Sequence, residues 1–104
     1  MASNKATLDF ILDQLSDVPG VSYRAMMGEF ILYDQGRVIG GIYDDRVLVK
    51  PTPAALKLLP DAPMELPYEG AKEMLLVEDV ENRDLLRALF EDMLDELPAP
   101  KKKK

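Results

Sequence analysis

Leu8, Ile11, Leu12 and Leu15 recur at i, i+3, i+4 and i+7, the spacing of one helix face, and Asp9, Asp13 and Gln14 fall on the outward side. Ser3 stands where an N-cap hydroxyl is wanted, and Pro19-Gly20 closes the segment because a helix does not easily pass that pair. The period then changes. Val21 to Met27, Phe30 to Tyr33, Arg37 to Tyr43 and Arg46 to Lys50 are short runs rich in β-branched and aromatic residues. Gly28, Asp34-Gln35-Gly36 and Asp44-Asp45 separate them, and breaks this short join antiparallel neighbours. The pattern predicts a meander.

Thr52-Pro53 reads as an N-cap followed by proline at the first helical position, where its missing N–H is harmless, and Pro60 ends that short helix. Asp61 to Gly70 holds Pro63, Pro67 and Gly70 and reads as an ordered loop, with a fifth strand expected in Lys72 to Val77. The last helix is the clearest element. Asn82 caps it, Asp84 sits near the positive end of its dipole, and Leu85, Leu86, Leu89, Phe90, Met93, Leu94 and Leu97 form its apolar stripe. At about 1.5–3 kcal/mol for each fully buried large side chain, this helix should be a principal core element. Pro98-Ala99-Pro100 stops it. The expected fold is therefore α+β, in the order α-β-β-β-β-α-β-α. An antiparallel sheet of four or five strands is packed by the N-terminal and C-terminal helices, in a single domain over 1–98 with a disordered Lys-rich tail at 99–104.

Composition narrows the chemistry more than it names it. The 104 residues are 47% apolar, enough for one core without staples, and they include neither Cys nor His. Disulfides, thiolate zinc sites and cysteine nucleophiles are excluded, as are histidine general bases, imidazole metal ligands and the usual proton switch near neutrality. The net charge is −6, but Lys101 to Lys104 supply four of the thirteen basic residues. The nine others face nineteen acidic residues, so the body carries −10 and repels phosphate backbones. Nucleic-acid binding by the folded body is disfavoured, and the lysine run reads as a solvated tail. No apolar run approaches the ~20 residues a membrane span requires, and the N-terminus lacks the pattern of a signal peptide. A cytoplasmic protein without membrane insertion is expected.

The strands are apolar on both sides: Phe30 and Leu32 oppose Ile31 and Tyr33, and Val47 and Val49 oppose Leu48. Either the helices and the long loop cover both faces, or one face or edge receives a protein partner or a second copy of the chain. Gly40-Gly41 lies inside a strand, where a bulge or the close approach of a helix suits it and a phosphate loop does not. Glu29, Asp44 and Asp45 are a possible carboxylate cluster, yet Asp-Asp before a strand is ordinary turn chemistry and no calcium-loop spacing accompanies it. Arg24 is expected to pair with a carboxylate, Tyr23, Tyr33, Tyr43 and Tyr68 to serve as amphipathic core or rim, and Met26-Met27 to act as adaptable packing. No catalytic residue, metal ligand or cofactor site is legible.

One stretch is distinctive as a whole. Arg24-Ala25-Met26-Met27-Gly28-Glu29-Phe30-Ile31-Leu32-Tyr33-Asp34-Gln35-Gly36, followed by Ile42-Tyr43-Asp44-Asp45-Arg46-Val47-Leu48-Val49-Lys50, resembles the N-terminal domain of the TfoX/Sxy family. That family has Arg, then Met, an aromatic, Gly and a small residue, an apolar-Tyr strand, a Gly turn, and a strand ending in Leu-x-Leu-Lys. Met27 stands here where the family more often has Phe, and Glu29 where it more often has Gly. The likeness spans the first helix to the last. It implies a curved antiparallel sheet against two helices and a link to bacterial competence regulation, in a version without the family's C-terminal domain. It carries across no catalytic residue. What it implies is a non-enzymatic regulatory or protein-interaction module, with Arg24, Met26, Met27, Gly28, Glu29, Tyr33 and Lys50 as candidate binding positions. Weak nucleic-acid binding and small-molecule sensing, with a ligand between the sheet and the Asp61–Gly70 loop, are the alternatives.

Overall fold

Three two-residue turns build most of the sheet. The computed structural model describes residues 3–98. In it β1 (Val21–Met26), β2 (Glu29–Asp34), β3 (Arg37–Tyr43) and β4 (Arg46–Val49) follow one another as antiparallel hairpins. Met27 and Gly28, Gln35 and Gly36, and Asp44 and Asp45 all take positive φ, the type I′ geometry whose twist matches that of the flanking strands. Four of these six residues are not glycine, so tertiary contacts must support them.

A short helix, α2 (Pro53–Leu58), starts on Thr52, whose side chain accepts from the Ala55 N–H, and leads towards β5 (Met64–Glu65) and β6 (Met74–Val77). β6 pairs with β4 and β5 pairs with β6, giving a six-stranded, wholly antiparallel sheet in the order β1-β2-β3-β4-β6-β5. The expected α+β class holds, with helices at both ends of the chain. The strand count is corrected from four or five to six. Met64–Glu65 lies in the segment expected to be loop, and two residues between prolines carry no periodicity of their own. The free edge of β6 supplies their order.

Helix α1 (Lys5–Gln14) is capped by Asn4, whose side chain accepts from the Ala6 N–H, rather than by Ser3. Gln14, expected outward, is buried and donates to the Val80 carbonyl at 3.0 Å, because the loop ahead of the last helix packs over it. Helix α3 (Arg83–Met93) is capped by Asn82 as expected and tightens into a 3-10 turn, Leu94–Glu96. Leu8, Ile11 and Leu15, Ala55 of α2, and Leu86, Leu89, Phe90 and Met93 join one buried cluster with Leu32, Ile42, Val47, Val49, Leu75 and Val77 of the sheet. The strand pairing puts those sheet residues on a single face, so the helices pack on one side.

The bulge anticipated at Gly40-Gly41 is present, but what approaches the glycines is the neighbouring strands and not a helix. Tyr33 pairs with Val38 and Leu32 with Gly40, so Ile39 is the extra residue of a β-bulge and turns fully into the core. A Cβ on Gly40 would stand 2.1 Å from the Leu48 carbonyl oxygen and 2.8 Å from the Val49 Cα. One on Gly41 would meet both the Phe30 carbonyl oxygen and the Tyr43 ring at 2.6 Å. The expectation for the Lys-rich tail lies outside the described residues.

Candidate interaction face

The side of the sheet away from the helices is covered over only half its width. Leu48 and Tyr43 are buried there, although neither belongs to the main core cluster. Pro67 is buried, and the ring of the adjoining Tyr68 lies 6.0 Å from that of Tyr43. Arg46 fastens this covering segment: its Nη1 donates to Glu65 Oε1 at 2.7 Å, its Nη2 to the Leu66 carbonyl at 3.1 Å and its Nε to the Tyr43 carbonyl at 3.1 Å. Burial raises the Tyr43 phenol above its ordinary pKa, with the neighbouring Tyr68, Glu29 and Tyr33 adding to the effect. The stretch around Glu65–Tyr68 thus roofs the Tyr43 and Arg46 ends of β3 and β4, so the outer face is neither covered throughout, as one expectation had it, nor wholly open.

The roof stops before β2. Pairing of Ser22 with Tyr33, Arg24 with Ile31 and Met26 with Glu29 places these six residues on the same outer side. Ser22, Arg24 and Met26 are exposed, while Ile31, Tyr33 and Val38 are half-buried. The fold therefore brings Arg24, Met26, Glu29 and Tyr33 together on one face. Arg24 makes no ion pair among the described residues, contrary to the expectation that a carboxylate would hold it. Met27 and Gly28 form the turn beside this face, and Met27 is 96% exposed with φ of 52°. Lys50 stands apart from that tip. Its backbone N–H donates to the Ile39 carbonyl at 2.9 Å, which puts it two strands from β2 at the Tyr33 end.

Glu29 and Asp45 lie beside the Asp44-Asp45 turn with carboxylates occupied by the chain's own donors, and Asp44 takes part through its backbone N–H. Glu29 Oε1 accepts from the Ser3 hydroxyl and from the Asp44 N–H at 3.0 Å. Asp45 Oδ1 accepts from the Asn4 N–H at 2.6 Å, the Asp45 N–H donates to Ser3 Oγ at 3.0 Å, and the Ser3 N–H donates to the Gly28 carbonyl at 2.9 Å. These bonds stitch the start of α1 across two hairpin turns and hold the left-handed Asp44-Asp45 pair in place. Among the described residues no group of three or more His, Cys, Asp or Glu side chains is arranged to hold a metal ion. No helix among them is long and apolar enough to cross a membrane.

One chemically notable residue went unremarked in the sequence beyond its place in a turn. Asp34 is only 1% exposed, and its Oδ2 has no hydrogen-bond partner among the described residues. The signal was present in the alternation, since Phe30, Leu32 and Asp34 fall on the same face and the first two point into the core. Burial raises its carboxyl above the ordinary range; the Arg37 guanidinium works against that and Glu91 reinforces it.

No model of a known protein family matches the chain, and no solved structure matches it. An uncharacterized 12.7 kDa protein in the trpE 5′ region of Spirochaeta aurantia is 33% identical over 105 residues, covering 100% of this chain and 91% of that relative. With identity at that level along its whole length, the chain belongs to the family of that spirochaete protein.

Proposed function

We propose that the protein is a non-enzymatic, cytoplasmic regulatory module that binds a protein partner along β1 and the uncovered face behind it. The observation that carries this reading is the inequality of the two sheet edges. β5 is two residues long and lies between Pro63 and Pro67, which blunts it against further pairing. β1 is six residues long, contains neither proline nor lysine, and is exposed at five of its six positions. An extended segment of a partner can add to such an edge through main-chain hydrogen bonds, with side chains on the outer face giving specificity. Met27, an apolar side chain held in solvent at positive φ, extends that surface at the hairpin tip.

The TfoX/Sxy resemblance of Arg24–Gly36 and Ile42–Lys50 supports a regulatory role of the competence kind. The lack of His and Cys, and the acidic body, weigh against acid–base catalysis and against nucleic acid as the partner. The test is photo-crosslinking in the native cell, with the reactive amino acid placed at position 22, 26 or, as a control on α3, 87. A partner captured from 22 and 26, not from 87, and lost with Arg24→Ala or Tyr33→Ala, is the expected result. Identical capture from all three positions, or none from β1, rejects this surface; capture of a second copy makes the partner the chain itself.

A further inference from the structure

Asp34 and Arg37 are the directly paired residues that close the β2–β3 hairpin, yet among the described residues no ion pair joins them. Residues opposite one another in an antiparallel pair share a face, with Cβ atoms about 4.5–5.5 Å apart, so the guanidinium starts within reach of the carboxylate. It is bonded elsewhere. Arg37 Nη1 donates to the Leu94 carbonyl at 3.1 Å and to the Leu97 carbonyl at 3.3 Å, and so clasps the 3-10 turn that ends α3. Asp34 is meanwhile buried, and its Oδ2 has no donor among the described residues. One cation thus faces two sets of acceptors and satisfies one of them. Glu91 of α3 is the other charged group acting on Asp34. Val21, opposite it on β1, and Val18 and Pro19, from the segment after α1, bring no charge. The clasped turn itself carries Asp95 and Glu96, and Glu96 Oε1 accepts from the Ala54 N–H at 2.9 Å.

We propose that Arg37 is a proton-controlled latch on the end of α3. With Asp34 protonated it holds the Leu94 and Leu97 carbonyls, and with Asp34 ionised it turns to that carboxylate and releases the turn. The balance between the two sets changes only when the proton leaves. The helix end offers neutral carbonyls with the fractional negative charge of the dipole, which outweigh a neutral carboxyl. An ionised carboxylate buried without a donor is costly, and a charge-assisted pair with arginine is what relieves that cost. Burial and Glu91 raise the Asp34 carboxyl against the opposing pull of Arg37, so the exchange falls above the ordinary value of 3.8. Once released, the turn keeps the bond from the Leu97 N–H to the Leu94 carbonyl, at 3.3 Å, and the tie from Glu96 to α2. The end of α3 is therefore clamped in acid and loosened towards neutrality.

The experiment is an NMR titration of the full chain from about pH 3 to about pH 8, a range that spans any carboxyl raised above its usual value. It follows the Asp34 carboxyl carbon, the Arg37 Nε–H resonance and the protection factor of the Leu97 amide. All three are expected to change at one midpoint, with Leu97 protection about tenfold lower above it, as the loss of hydrogen bonds from a charged donor implies. Asp34→Asn, nearly the same shape, should keep Leu97 protection at its acid level throughout. Arg37→Met should give the low level throughout. Leu97 protection that stays constant while Asp34 titrates overturns the latch. So does a fall that persists in Asp34→Asn, where Asp95 or Glu96 would be its source, or one that persists in Arg37→Met, which has no guanidinium to move.

Discussion

Asp34 and Glu29 are both acidic strand residues, and their surroundings give them opposite roles. Glu29 accepts from the Ser3 hydroxyl and the Asp44 N–H, so Glu29→Ala leaves both donors without their partner and loosens the Asp44-Asp45 turn. A loss of about 1–2 kcal/mol in urea unfolding is expected, and Ser3→Ala added to it should cost little more because the two share one network. Asp34 faces the other way. A raised carboxyl pKa means that the native state holds the proton more tightly than the unfolded chain does. The associated stability is fully present below about 3.8, the unfolded value, and is lost as pH rises through the native one. Asp34→Asn should therefore stabilise the protein at neutral pH. That gain should vanish in acid, and thermal melts across pH read both effects. Tyr43 has the same sign at the alkaline end, where its stabilising effect fades as pH rises from about 10 through its raised native value.

Strand β3 shows how far an element can be read before it is seen. Its bounds, Arg37–Tyr43, agree with the run of apolar residues, and its glycines announced a bulge or a close approach. Which residue would be the extra one was not legible, because alternation alone puts Ile39 and Ile42 on opposite faces. The pairing of Leu32 with Gly40 settles it, and both isoleucines reach the core. Gly40→Ala would press a methyl against the Leu48 carbonyl and Val49 Cα, backbone that cannot swing aside. We expect a loss of about 3 kcal/mol or more, measured by denaturant unfolding. Gly41→Ala would meet the Phe30 carbonyl oxygen as well as the buried ring of Tyr43, so it too should be destabilising. Helix α3 was legible almost entirely, since seven apolar residues at helical spacing and an Asn cap are local signals. Strand β5 was not, since two residues owe their extension to the neighbour they pair with.

At the scale of the molecule, one face of the sheet is packed by helices and the other is divided between a roof and an opening. Hydrogen exchange should report that division. The amides of Gly40 to Ile42 and Val47 to Val49, in the middle of the sheet, should exchange only through global unfolding, and alternate amides of β1, pointing off the edge, within the dead time. Protection of every β1 amide that grew with protein concentration would instead show a second copy bound at that edge. The sequence could pose the choice between a covered and an open second face but could not decide it. The answer depends on where the stretch after β5 lies, and Arg46, about twenty residues away in the chain, ties it down with two hydrogen bonds, to Glu65 and to the Leu66 carbonyl.

By itself, the amino-acid sequence determined the α+β class, three helices, four hairpin strands and a chemistry without imidazole or thiol. These are properties of local periodicity, turn residues and composition, all carried by neighbours along the chain. Tertiary structure alone decided that Arg24, Met26 and Tyr33 share an open face and that Ser3 ties down Glu29 rather than capping a helix. It also decided that the carboxylate of Asp34 is buried instead of facing water. Each of those depends on strand register and on segments far apart in sequence, where one residue of slip would exchange inside for outside.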